Sequence, residues 1–183
     1  MKHWKLIERL NRGHRSYLEG GEAGDVSAEV RRKTAEEGQR PHTVVLSCSD
    51  SRAIPERIFS AGIGELFVVR VAGNVLGHQQ LGSVEYAVEH LGCDLVLVLG
   101  HRGCGAVEAA LAGDGHGAVR SITDAIHAAI GGERDPARAE RRNVRHTVEL
   151  LRRKLGEHGP AVRGAIYDIA SGALDWLEDA DEV

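Results

Sequence analysis

Apolar residues along this chain follow two rhythms, and the alternation between them predicts the architecture. Short unbroken runs rich in Val, Leu and Ile occur at Thr43-Val44-Val45-Leu46-Ser47, Leu66-Phe67-Val68-Val69-Arg70 and Asp94-Leu95-Val96-Leu97-Val98-Leu99. Runs of that length without polar alternation read as strands buried on both faces. Elsewhere apolar positions recur at helical spacing, as with Trp4, Ile7, Leu10 and Leu18 over 3–18, and Leu81, Val84, Val88 and Leu91 over 79–91. Further helices are expected at 28–38, with Ser27 as N-cap and Gly38 as stop, at 106–111, and at 118–130 and 136–155 across Gly131-Gly132. The pattern closes with Gly164-Ala165-Ile166-Tyr167-Asp168-Ile169 and Gly172-Ala173-Leu174-Asp175-Trp176, two strands across a tight turn. Strands alternating with helices predict an α/β fold: a central, mostly parallel sheet of four parallel strands plus a C-terminal edge strand, flanked by helices.

The 183 residues contain no repeat, no low-complexity block and no composition break, so 1–183 reads as a single domain. Residues 1–24 form an amphipathic N-terminal arm that needs a surface, either its own domain or a partner subunit. From Glu178 onward the chain is acidic and expected to fray. Net charge is −4 and the sequence pI about 6.2, which excludes the basic character of a nucleic-acid binder. The clusters Arg31-Arg32-Lys33, Arg141-Arg142 and Arg152-Arg153-Lys154 sit among glutamates in helical patterns and read as solvated faces. No apolar run reaches membrane-spanning length. Three cysteines, an odd count, with no secretory leader point to a reducing, cytoplasmic setting.

The candidate chemistry lies where the strands stop. Gly100 ends the third apolar run, His101 follows, Gly103 and Gly105 allow a turn, and Cys104 falls at the start of a helix. Cys48 stands at the carboxyl end of the first strand, the edge where open α/β sheets bind ligands, and Arg70 ends the second. Cys48, His101 and Cys104 make a Cys2His set with one coordination position open, the count of a catalytic zinc, and two thiolates with an imidazole suit zinc better than magnesium, calcium or manganese. Spacing alone leaves a second reading open, two small buried cysteines and a strand-end histidine. Asp50 and Arg52 follow Cys48 at steps of two and share a face if the segment is extended, so they can pair beside a metal or form a surface ion pair worth less than about 1 kcal/mol. Gly103-Cys104-Gly105 begins like a dinucleotide loop, but Glu108 occupies the last glycine position.

Taken together, Cys-Ser-Asp-Ser-Arg at 48–52 and Gly-His-Arg-Gly-Cys-Gly at 100–105 resemble the β-class carbonic anhydrases. The resemblance extends over 39–176 through Gly64–Arg70, Gly82–Val88 and Gly164–Ile169. It implies one zinc per subunit held by Cys48, His101 and Cys104, and reversible hydration of CO2 to bicarbonate by a zinc-bound hydroxide that an Asp50–Arg52 dyad orients. It also implies a substrate pocket of Gln39, Phe67, Ala72, Tyr86 and Gly105, with Gln39 and Tyr86 supplied by a neighbouring subunit, and a homodimer with sites at its interface. Carbonyl sulfide or carbon disulfide hydrolysis on the same fold is the alternative, and a non-catalytic zinc-binding subunit is a further one. His78, His90, His116 and His127 read as surface residues. Two departures stand out: Val71 replaces a common asparagine, and Val45 replaces the tryptophan of the bicarbonate-inhibited branch, although Arg70, which also belongs to that regulatory site, is present.

Overall fold

In the computed structural model, which describes residues 3–178, the predicted alternation becomes one five-stranded sheet. The elements run α1 (His3–Leu18), α2 (Ala28–Glu37), β1 (Thr43–Ser47), α3 (Pro55–Ile58), β2 (Leu66–Arg70), α4 (His78–Leu91), β3 (Leu95–His101), α5 (Gly105–Ala112), α6 (Arg120–Ile130), α7 (Pro136–Leu155), β4 (Ala161–Tyr167) and β5 (Leu174–Leu177). Short 3₁₀ turns occupy Ala72–Asn74 and Gly117–Val119. The strand order is β2-β1-β3-β4-β5, with β5 alone antiparallel. The acidic end from residue 179 lies outside the described residues.

The first and third apolar runs behave as expected of doubly covered strands, since every residue of β1 and β3 is buried, whereas β2 lies at the sheet edge and is only half-buried. One face packs under α4 and α7, where Val44, Val96 and Val98 meet Val84, Val144, Val148 and Leu151. The other face is covered by α1 and α3, with Leu6, Leu10, Ile58 and Phe59 against Val45, Leu97, Leu99 and Tyr167. Of the two surfaces open to the N-terminal helix, its own domain therefore takes Leu6 and Leu10. Polar contacts fix it there: Trp176 Nε1 donates to Asn11 Oδ1 at 2.8 Å, and the Tyr17 and Tyr167 hydroxyls pair at 2.8 Å.

Three boundaries differ from the sequence reading, each for a local reason. β3 continues through Gly100 to His101. A Cβ at Gly100 would meet Val144 Cγ2 at 2.5 Å and Ile166 Cδ1 at 2.9 Å, so the glycine lets α7 lie close on the sheet and does not end the strand. The C-terminal pair shifts to 161–167 and 174–177, because Asp168 Oδ1 accepts the amides of Ala170 and Ser171 and turns the chain there. Segment 48–52 is a turn, not an extended stretch. The helix signals hold: Ser27 Oγ accepts Val30 N–H, and Gly38 caps α2 at a φ of 81°.

Candidate metal centre

Register brings the predicted ligands to one edge. Ser47 pairs with Arg70 on β2 and with Leu99 on β3, so the chain following β1, at Cys48, emerges beside His101 and the turn that carries Cys104. The ligand atoms of Cys48, His101 and Cys104 lie within 4.8 Å of one another, and all three residues are buried. Behind them Val75, Val107, Ala110, Ile126, Ile130 and Ala139 form an apolar wall.

The residues fit a metal ion on two observations. The Cys48 and Cys104 sulfurs stand 4.0 Å apart, close to the span of about 3.8 Å that two Zn–S bonds subtend at a tetrahedral angle. His101 Nδ1 donates to the Arg102 carbonyl at 3.0 Å, because a carbonyl oxygen only accepts. That leaves Nε2 buried without a hydrogen-bond partner, an arrangement that costs free energy unless something takes its lone pair.

The sulfurs are unequal before any metal arrives. The Cys48 thiol is pushed down because the Cys104 thiol hydrogen-bonds to it, with His101 and the Gly73 and Asp50 amides helping against burial. The same contact pushes Cys104 up. Burial pulls the His101 imidazole down, but the Cys48 sulfur, the Arg102 carbonyl and Asp50 outweigh it and raise the ring overall. A sulfur whose thiol is pushed down gives up its proton more readily, as a thiol must to ligate a metal.

Asp50 and Arg52 do pair, though a turn makes the pair. Asp50 Oδ1 accepts from Arg52 N at 2.9 Å and from Nε at 3.0 Å, while Oδ2 accepts from Nη2 at 2.7 Å. The Arg52 side chain thereby holds the Asp50 carboxyl well below the usual carboxylate range, against a smaller opposing effect of burial. Oδ2 lies 3.7 Å from His101 Nε2, so the dyad borders the cluster without joining the ligand set. Arg70 stiffens the loop from the neighbouring strand: Nε donates to the Cys48 carbonyl at 3.1 Å, and Nη2 to the Asp50 and Ala53 carbonyls at 2.6 and 3.2 Å.

Gly73, beside the expected pocket residue Ala72, donates its N–H to Cys48 Sγ at 3.3 Å. Its φ of 66° is left-handed, and a Cβ there would meet Ile126 Cδ1 at 2.6 Å, so only glycine brings that amide to the sulfur. Gly105 opens α5 directly after Cys104. Phe67 and Tyr86 rings lie 6.2 Å apart, and Tyr86 also pairs with His90 at 5.1 Å. Gln39 and Tyr86 line a groove of about 760 Å³ between α2 and α4, with Thr34, Gly64 and Leu91. Tyr86 thus meets Phe67, His90 and this groove. His78, His90, His116 and His127 are exposed, as expected.

Sequence reasoning missed Glu140. Its neighbours Arg141 and Arg142 suggested a solvated face, yet Glu140 is buried and accepts the amides of Gly103 and Cys104 at 2.8 and 3.3 Å and Arg102 Nη1 at 3.1 Å. A signal existed: Glu140 lies three and seven residues before Asn143 and Thr147, one polar stripe beside the apolar stripe of Ala139, Val144, Val148 and Leu151.

Comparison with known proteins sets this geometry in context. The carbonic anhydrase family model matches residues 43–174. Carbonic anhydrase 2 of Mycobacterium tuberculosis is 39% identical over 190 residues, covering 98% of this chain and 90% of that protein. The carbonic anhydrase of Mycolicibacterium smegmatis is 34% identical, covering 94% and 90%. Among solved structures, a β-carbonic anhydrase of Aspergillus fumigatus superposes with a TM-score of 0.71 at 28% identity, over 84% of this chain and 88% of that one. A tetrameric β-carbonic anhydrase of Sordaria macrospora shares the fold with a TM-score of 0.70 at 22% identity, over 97% and 96%.

Proposed function

The chain belongs to the β-class carbonic anhydrases, and from that membership we propose that it catalyses reversible hydration of CO2 to bicarbonate and a proton, with one zinc ion held by Cys48, His101 and Cys104. The observation that carries the reading is the buried, unpartnered His101 Nε2 facing two sulfurs, with a fully engaged Asp50–Arg52 pair at its side. Held by these three residues, zinc would supply the Lewis acidity that makes hydroxide available near neutral pH.

The chain's own groups do the rest. Arg52 keeps Asp50 ionised and orients it, so Oδ2, on the side facing His101, is an acceptor for a proton on a reacting water. With both oxygens accepting from Arg52, Asp50 is held on the arginine, so it would act as an acceptor beside the metal residues and not as one of them. Arg70 holds the carbonyls of Cys48, Asp50 and Ala53, which keeps that acceptor aimed. The apolar wall behind the sulfurs excludes water on that side. Phe67, Ala72, Tyr86 and Gly105 form the walls for a small apolar substrate, and Gln39 hydrogen-bonds it. Gln39 and Tyr86 act across a homodimer interface, reaching the partner's metal. The outer face of α1, where Trp4 and Leu18 are exposed, adds to that contact. The protein works in the cytoplasm, a reducing setting that suits its unpaired buried cysteines. No helix among the described residues is long and apolar enough to cross a membrane.

Purified zinc-loaded protein assayed on CO2 and on carbonyl sulfide tests the substrate. Fast turnover of CO2 is expected, and efficient turnover of the sulfur compound alone would overturn the assignment.

A further inference from the structure

The two sulfur ligands sit on different loops, yet both loops are tied to one helix. α7 carries Glu140, Asn143 and Thr147 at helical spacing, each at least nine-tenths buried in a helix that otherwise buries Ala139, Val144, Val148 and Leu151. Buried polar side chains among apolar neighbours persist where they satisfy specific partners. Glu140 takes the Gly103 and Cys104 amides, so it holds the backbone of one sulfur ligand directly. Asn143 Nδ2 donates to the Gly73 carbonyl at 2.8 Å, and the amide of the same Gly73 donates to Cys48 Sγ at 3.3 Å. One helix face thus holds the Cys104 backbone directly and reaches the Cys48 sulfur through the Gly73 turn. The helix itself is fixed to the sheet through Val144 and Val148, aided by the close approach at Gly100.

We propose that Glu140 and Asn143 are positioning residues for the metal centre: through α7 they set the separation of the Cys48 and Cys104 sulfurs, and Asn143 holds the Gly73 amide that shares the Cys48 sulfur with the metal. A hydrogen bond to a thiolate draws charge from it, so Asn143 also sets how strongly Cys48 donates to the ion. Thr147 completes the stripe but reaches only the Asn74 carbonyl, at 3.5 Å, in the same turn as Gly73 but one residue past the amide that meets the Cys48 sulfur. The same helix face therefore contains its own control. This inference rests on the Cys48–His101–Cys104 metal reading.

The test measures zinc affinity by competition with a chromophoric chelator, and the sulfur-to-metal charge-transfer band after cobalt substitution, in native protein and folded variants. Glu140→Ala and Asn143→Ala should each bind zinc about 10- to 100-fold more weakly, and Asn143→Ala should move the cobalt band. Glu140→Gln keeps one carbonyl acceptor and should recover part of the loss, which also secures the test if Glu140→Ala does not fold. Thr147→Val should bind zinc within twofold of native. Zinc affinity within twofold of native in Glu140→Gln and Asn143→Ala, with an unmoved band, would overturn the proposal, as would an equal loss in Thr147→Val. Failure of the native protein to take up one zinc would instead sink the metal reading itself.

Discussion

The two ends of the site are built in opposite ways. At the metal end Cys48, His101 and Cys104 are no more than 5% exposed, their turns are tied by Arg70 and Glu140, and an apolar wall stands behind them. At the other end Gln39 and Tyr86 line an open groove, and Tyr86 is 49% exposed. A rigid, desolvated ligand set makes metal affinity a property of the single chain. An open groove makes substrate contact depend on whatever covers it.

The largest effect should come from breaking the closed end. Cys104→Ser should lose zinc and lower CO2 hydration by about 10³-fold or more, checked by metal analysis and stopped-flow assay. Asp50→Ala should separate chemistry from binding: one zinc per chain retained, with kcat/KM down about 100-fold. Hydration at the native rate in that variant would remove the dyad from the mechanism. At the open end, Tyr86→Ala should lower kcat/KM by about tenfold with zinc content unchanged. Zinc loss there would erase the distinction between the two ends.

Packing gives a finer contrast. Gly100→Ala places a Cβ against Val144 and Ile166 and should cost about 1–3 kcal/mol in denaturant unfolding. Gly82→Ala, on α4 where a Cβ meets nothing within 4 Å, should stabilise by about 0.5–1 kcal/mol. The last effect appears only below neutral pH and concerns His42, at the amino end of β1 and far along the strand from the cysteine–histidine cluster. Burial, with Arg9 nearby, pushes its pKa down to about 4, against an opposing pull from Glu65. The unfolded chain therefore takes up a proton that the folded one refuses. His42 costs nothing at pH above about 6.5 and destabilises progressively as pH falls from there towards 4. His42→Gln should flatten that part of the acid limb in pH-dependent unfolding.

What could be read from the residues follows the same division. Unbroken apolar runs located β1 and β3 because burial on both faces leaves no room for polar alternation, and β2 carries the same pattern although it is a half-buried edge strand. The convergence of Cys48, His101 and Cys104 and the Asp50–Arg52 pair were legible from strand ends and from the resemblance of the two motifs, since spacing alone left a buried-cysteine reading open. The shape of the pair was not, because an aspartate accepting the backbone N–H two residues on turns the chain whatever its strand propensity. Gly100 looked like a strand end until the close approach of α7 showed a packing need, which local sequence does not encode. Glu140 was hidden by Arg141 and Arg142, since charge composition cannot say which of three adjacent polar residues faces inward.

The most direct test of the account is the structure of the zinc-bound protein near neutral pH. It should have the ion on Cys48 Sγ, His101 Nε2 and Cys104 Sγ, with water as the fourth ligand and Asp50 still paired to Arg52 through both oxygens. Asp50 bound to the zinc, with Arg52 released, would contradict it.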